Sequence, residues 1–123
     1  MILKDIMEMK NWIVVGDVVN ESKYAHKIMK ALENENYTVA GVSIKSGENV
    51  YQNLKEVPFK IQVIDLCVNP KFGIGYIKEG KELGIKYVLI QPGAESNEII
   101  DYCKENDIYA VENCALIQLR AKH

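Results

Sequence analysis

The sequence predicts an α/β protein: a doubly wound, five-stranded parallel sheet with helices on both faces. Three observations predict it. Apolar, β-branched segments recur along the chain at nearly constant spacing. Each is a continuous apolar run rather than an apolar–polar alternation, which is the pattern of a strand buried on both faces. The intervals between them leave room for a crossover helix, and right-handed crossovers between parallel strands leave few other topologies.

The strands are expected at Trp12–Gly16, Thr38–Ser43, Val63–Val68, Tyr87–Gln91 and Ile108–Val111. Before them, residues 1–11 form a short amphipathic lead-in. In the first interval Tyr24, Ile28, Ala31 and Leu32 fall on one helical stripe, and Asn20 or Ser22 stands where a side chain can cap the helix start. The second interval holds less structure. Ser46-Gly47-Glu48-Asn49 reads as loop, and Tyr51–Glu56 is long enough only for a short helix before Val57-Pro58. After the third strand, Pro70 suits a first helical turn because it has no N–H to leave unpaired, and Gly84 marks the stop. Gly73, Tyr76, Ile77 and Gly80 share the face between, and their small members let helix and sheet approach closely. Ser96 caps a fourth-interval helix whose Ile99, Ile100 and Cys103 face the sheet and which ends near Asn106-Asp107. Residues 114–119 form a short closing helix.

A chain of 123 residues is one domain's worth of material, and its 48% apolar content is typical of soluble globular proteins. Fifteen Lys and Arg against 17 Asp and Glu give a net charge of −2, spread along the sequence, so a nucleic-acid-coating surface is not expected. The longest apolar runs, Trp12–Val15 and Tyr87–Ile90, are far too short to cross a bilayer, and charges at Lys4, Asp5, Glu8 and Lys10 interrupt any secretory signal. Cys67, Cys103 and Cys114 form no C-x-x-C pair, which points to a reducing, cytoplasmic compartment and to neither a zinc site nor a disulfide framework.

In doubly wound sheets ligands bind beyond the carboxyl ends of the strands, so the residues after each strand carry the functional reading. The first such loop, Val15-Gly16-Asp17-Val18-Val19-Asn20, runs from buried strand into amphipathic helix. Gly16 permits close approach to a phosphate, but Val18 and Val19 depart from the full G-x-G-x-x-G pattern, so a phosphate site and a plain tight turn both remain open. At the second strand end, Val42-Ser43-Ile44-Lys45 lacks the acid that binds the ribose of NAD; a hydroxyl and a cation suit a phosphorylated ribose. The remaining ends, Cys67-Val68-Asn69-Pro70, Ile90-Gln91-Pro92-Gly93 and Glu112-Asn113-Cys114, switch abruptly from strand to turn. Gly93 suits a positive φ with an amide facing the cleft.

Taken together these strand ends resemble the single-domain coenzyme A-binding proteins, which share a Rossmann-like fold with the nucleotide domain of the succinyl-CoA synthetase α subunit. The carriers are Val14-Val15-Gly16 with Asn20 ahead of a Tyr-containing helix, Val68-Asn69-Pro70, Gln91-Pro92-Gly93-Ala94-Glu95-Ser96 and Glu112-Asn113-Cys114-Ala115-Leu116, within roughly residues 11–119. The resemblance implies coenzyme A or an acyl-CoA held across the strand ends. Gly16, Asp17, Val18 and Asn20 would form the phosphate-side loop, Ser43 and Lys45 would meet the ribose phosphate, and Val68, Asn69, Pro70, Gln91, Pro92 and Gly93 would line the rest. Many relatives carry a small hydroxyl residue soon after the first glycine and an Asn-Pro pair after the second strand, where this chain has Asp17-Val18 and Ser43-Ile44.

Reaction chemistry is sparse. Only His26 and His123 exist, both read as solvated, and no Ser-His-Asp or Cys-His arrangement follows from position. Binding without catalysis, as a sensor or carrier, is the economical expectation, and no catalytic or metal-binding residue is assigned. Two other readings stand beside it: an NADP-dependent redox enzyme or sensor, and a homo-oligomer or partner subunit contributing to a larger acyl-CoA enzyme.

Overall fold

A computed structural model describes residues 3–121. Helix α1 (Leu3–Glu8) leads into strand β1 (Asn11–Val15), helix α2 (Tyr24–Asn34), strand β2 (Thr38–Val42), strand β3 (Val50–Tyr51), a single 3₁₀ turn at Leu54–Glu56, and strand β4 (Val63–Leu66). Helix α3 (Pro70–Glu82), strand β5 (Tyr87–Ile90), helix α4 (Asn97–Glu105), strand β6 (Tyr109–Glu112) and helix α5 (Ala115–Ala121) complete it. All pairings are parallel, and the strand order is β3-β2-β1-β4-β5-β6. The sheet therefore has six strands, not the expected five.

The extra strand is β3. Its two residues pair with Gly41 and Val42 at the sheet edge, and nothing in so short a run announces a strand without that partner. The five expected strands sit where the apolar runs are, with ends shifted by a residue or two.

Residues alternate between two cores. Ile13, Val15, Ala40, Val42, Ile64, Leu66, Val88 and Ile90 face α3 and α4, meeting Ile77, Ile99 and Cys103. Trp12, Val14, Val39, Val63 and Leu89 face the other way, toward Ile6 and Met7 of α1, Ile28 and Leu32 of α2, and Ala115 and Leu119 of α5. Trp12 is fully buried, donates its indole N–H to Met9 O at 2.7 Å and meets Tyr37 edge to face, which ties the lead-in segment to the sheet. Gly73 and Gly80 lie against Leu66 and Ile64, so α3 does approach the sheet closely, as expected.

Helix ends follow the sequence in two cases and depart from it in one. Asn69 caps α3 by accepting from Lys71 N–H at 2.9 Å, and Ser96 caps α4 by accepting from Ile99 N–H at 3.1 Å. Neither Asn20 nor Ser22 caps α2: the N-cap is Lys23, without a side-chain bond, and Asn20 Oδ1 is used by Ser22 instead. Tyr24 also leaves its expected stripe. It is 69% exposed and lines the cleft at the start of α2, while Ala25 and Met29 join Ile28 and Leu32 in the core, so the buried stripe runs one residue further round the helix. No helix among the described residues is long and apolar enough to cross a membrane.

Candidate functional site

Strand order reverses between β1 and β4, whose neighbours extend in opposite directions, and the crossover helices leave on opposite faces there. The loops after these strands consequently diverge, and a cleft of about 1260 Å³ opens beyond the carboxyl ends of the sheet.

Nine of the twelve expected residues line this cleft: Gly16, Asp17, Ser43, Lys45, Val68, Asn69, Gln91, Pro92 and Gly93. Val18, Asn20 and Pro70 do not. Val18 is buried beneath the loop, its methyl groups filling the space that the absent side chain of Gly41 leaves open. Asn20 is exposed and donates its backbone N–H to Asp17 Oδ1. Pro70 is the first residue of α3 and lies outside the lining.

Gly16 is required by its surroundings. Its φ is +154°, and a Cβ at this position would stand only 2.9 Å from the Cys67 carbonyl oxygen, so any side chain would force the β1 and β4 ends apart. Its N–H donates to Val42 O and its carbonyl accepts from Val18 N–H, so the turn is held by its own backbone. Gly93 has the expected positive φ, +99°, but its N–H donates to Glu95 Oε2 at 2.7 Å and is thereby committed to its own loop.

The polar groups that the sequence singled out are mostly engaged with one another. Lys45 Nζ lies 2.7 Å from Asp17 Oδ2, an ion pair joining the loops after β2 and β1. That ammonium group, aided by the N–H groups of Asn20 and Val19 and opposed by burial, holds the Asp17 carboxyl below its ordinary value. Ser43 is buried and its Oγ accepts from Lys45 N–H at 3.1 Å. Gln91 Oε1 accepts from Ala115 N–H at 2.8 Å and so anchors the start of α5. Glu79 Oε2 accepts from Leu54 N–H at 3.0 Å.

Several lining residues stand outside those twelve. Lys23 and Arg120 bring positive charge, and Tyr24, Ile44, Phe72 and Ile117 bring apolar surface at 69%, 84%, 63% and 57% exposure. These large apolar side chains leave part of the cleft wall apolar and open to solvent. Helical periodicity could have flagged Phe72, which falls off the buried face of α3, but Ile117 and Arg120 are gathered only by the fold.

Below the cleft lies an unusual group. Asp65, in the middle of β4, is fully buried; Cys67 Sγ is 3.7 Å from its Oδ2, and its Oδ1 has no partner among the described residues. Burial pushes the Asp65 carboxyl up to about 8, only partly offset by Cys67, and burial raises the Cys67 thiol well above its usual value. Cys67 and Cys114 both line the cleft, and all three cysteines are free. His26 is not solvated as expected: it is half-buried, with Nδ1 2.8 Å from Val18 O. His123 lies outside the described residues.

A parallel sheet in this order, with its cleft at the strand reversal, defines the class of Rossmann-like nucleotide-binding domains. Within that class the chain belongs to the CoA binding domain family, which matches residues 10–120. No curated protein matches it in sequence. Among solved structures it is similar to a hypothetical protein from Pyrococcus horikoshii OT3, with 26% identity, a TM-score of 0.88, and coverage of 97% of this chain and 87% of that one. A conserved hypothetical protein from Pyrococcus furiosus shares 30% identity at a TM-score of 0.81 over 89% of this chain and 99% of that one. The fold also recurs, at 18% identity and a TM-score of 0.76, in a dinucleotide forming acetyl-coenzyme A synthetase 1 from Ca. Korarchaeum cryptofilum, over 90% of this chain and 27% of that one.

Proposed function

We propose that the chain binds coenzyme A or an acyl-CoA in this cleft and acts as a binding module rather than a catalyst. The observation that carries the reading is the pairing of two chemistries in one groove. Four exposed apolar side chains, Tyr24, Ile44, Phe72 and Ile117, stand alongside three cations, Lys23, Lys45 and Arg120. Coenzyme A has the matching parts: an adenine and a long pantetheine arm for the apolar surface, and a diphosphate and ribose phosphate for the cations. The cleft volume also exceeds the roughly 300–1,000 Å³ of ordinary small-molecule pockets, in keeping with an elongated ligand.

Residue by residue, the uncapped first turn of α2 beside Gly16 offers unpaired N–H groups to the diphosphate, with Lys23 and Arg120 adding charge. Lys45, with Ser43 beneath it, meets the ribose phosphate. Val68, Asn69, Gln91, Pro92 and Gly93 line the course of the arm. The reading of binding without catalysis is supported by the lining carboxylates, because Asp17 is held by Lys45 and Glu79 by backbone N–H groups of the 3₁₀ turn.

Thermal unfolding with increasing coenzyme A tests the reading, since a ligand bound only by the folded state stabilises it by about 2.7 kcal/mol at a hundred times its Kd. A melting temperature that rises with coenzyme A supports it. An unchanged melting temperature near millimolar ligand contradicts it, and a rise with NADPH alone favours the redox alternative.

A further inference from the structure

The Asp17–Lys45 ion pair has an unequal construction. Asp17 is anchored: its Oδ1 accepts from Asn20 N–H at 3.1 Å, and its side chain is 26% exposed. Lys45 is the more exposed member, with a long side chain 52% exposed. Asp17 thus occupies, with its own negative charge, the Lys45 ammonium group at the end of β2. Neither Lys23 nor Arg120 has an acidic partner among the described residues. Of the three cleft cations, only Lys45 is already spoken for.

We propose that Asp17 is a specificity-determining residue: it competes with the ligand's ribose phosphate for Lys45 and so weakens the cleft's preference for phosphorylated over unphosphorylated ribose. The inference rests on the coenzyme A reading and deepens it. A phosphate arriving at Lys45 gains only the difference between its own contact and the one Asp17 gives up. It also meets the repulsion of the anchored carboxylate, which stays behind. A ligand without that phosphate leaves the ion pair intact and encounters neither penalty. A neutral, same-sized residue at position 17 frees Lys45 and strengthens the discrimination.

The experiment measures Kd for coenzyme A and dephospho-CoA by titration calorimetry on the full chain, in the wild type, Asp17→Asn, Lys45→Ala and the double variant. Far-ultraviolet circular dichroism confirms that each is folded, and Asp17→Ser replaces Asp17→Asn if the latter is not. The expected result is a preference for coenzyme A that rises about five- to tenfold in Asp17→Asn, the size of a partly exposed ion pair plus one like-charge repulsion. In the Lys45→Ala background the same substitution should raise the preference by a clearly smaller factor, because only the like-charge repulsion is then relieved. A preference that falls or stays constant in Asp17→Asn overturns the inference, since Asp17 would then be positioning Lys45 for the phosphate or have no effect on it. A rise of undiminished size without Lys45 overturns it too, because repulsion alone would explain it. Wild-type protein that binds neither ligand overturns the coenzyme A reading and this inference together, whereas wild-type binding with an unaltered ratio in the variant overturns this inference alone.

Discussion

Asp65 should make the stability of this protein fall as pH rises through the neutral range. Its carboxyl is fully buried in β4 with one oxygen unpartnered among the described residues, and burial raises its pKa from 3.8 to about 8. Between those values the folded protein keeps the Asp65 proton while the unfolded chain has released it. The folded state then binds more protons, so stability declines with pH across that window and levels off above about 8. Each pKa unit corresponds to about 1.4 kcal/mol, so a shift of about four units amounts to on the order of 5 kcal/mol. Asp65→Asn removes the titration at nearly constant volume. Urea unfolding of both proteins from about pH 5 to about pH 9 isolates the effect, because titrating groups not in contact with Asp65 cancel in the difference, and a Cys67→Ser background removes the one thiol that touches it. Trp12, the sole tryptophan and fully buried, supplies the fluorescence signal. The variant should gain on the wild type by roughly 1 kcal/mol per pH unit up to about pH 8 and then hold a constant lead. Two curves that run parallel across the whole range would show that Asp65 does not titrate differently on folding.

Other expected outcomes probe the site and its frame. Gly16→Ala should lower the melting temperature, at a cost of about 1–3 kcal/mol, because the new Cβ meets the Cys67 carbonyl at 2.9 Å and φ is +154°. Phe72→Ala, at a position 63% exposed, should leave unfolding within about 0.5 kcal/mol of wild type while weakening coenzyme A in calorimetry. Ser96→Ala removes the N-cap of α4 and should cost about 1 kcal/mol in urea unfolding with ligand affinity unchanged.

What the sequence made legible was what local chemistry dictates. Five strands were readable because each is a dominantly apolar run, interrupted by a charge only at Asp65, and α3 and α4 because Pro70 and Ser96 mark their starts and apolar residues recur at helical spacing. β3 escaped because Val50 and Tyr51 become a strand only by pairing with Gly41 and Val42. Tyr24 falls on the apolar stripe by its helical spacing from Ile28, and periodicity alone cannot tell that Ala25 rather than Tyr24 takes the buried place at the helix start. The cleft was legible as a set of strand ends, but not in its charges. Asp17 reads in the sequence only as a departure from the small hydroxyl residue of many relatives; its partner Lys45 stands 28 positions away and is brought to it by the β1–β2 pairing. Arg120 and Ile117 enter the lining only because α5 folds back against α2, a packing event with no local signal.

The proposed function requires this cleft to take coenzyme A in preference to other phosphorylated nucleotides. Native mass spectrometry of the protein equilibrated with equal concentrations of coenzyme A and NADPH decides the matter, since both ligands carry a phosphorylated adenosine ribose and compete for the same cations. A one-to-one complex with coenzyme A should be the dominant bound species. A dominant complex with NADPH, or protein that emerges with neither ligand bound, would contradict the proposed function.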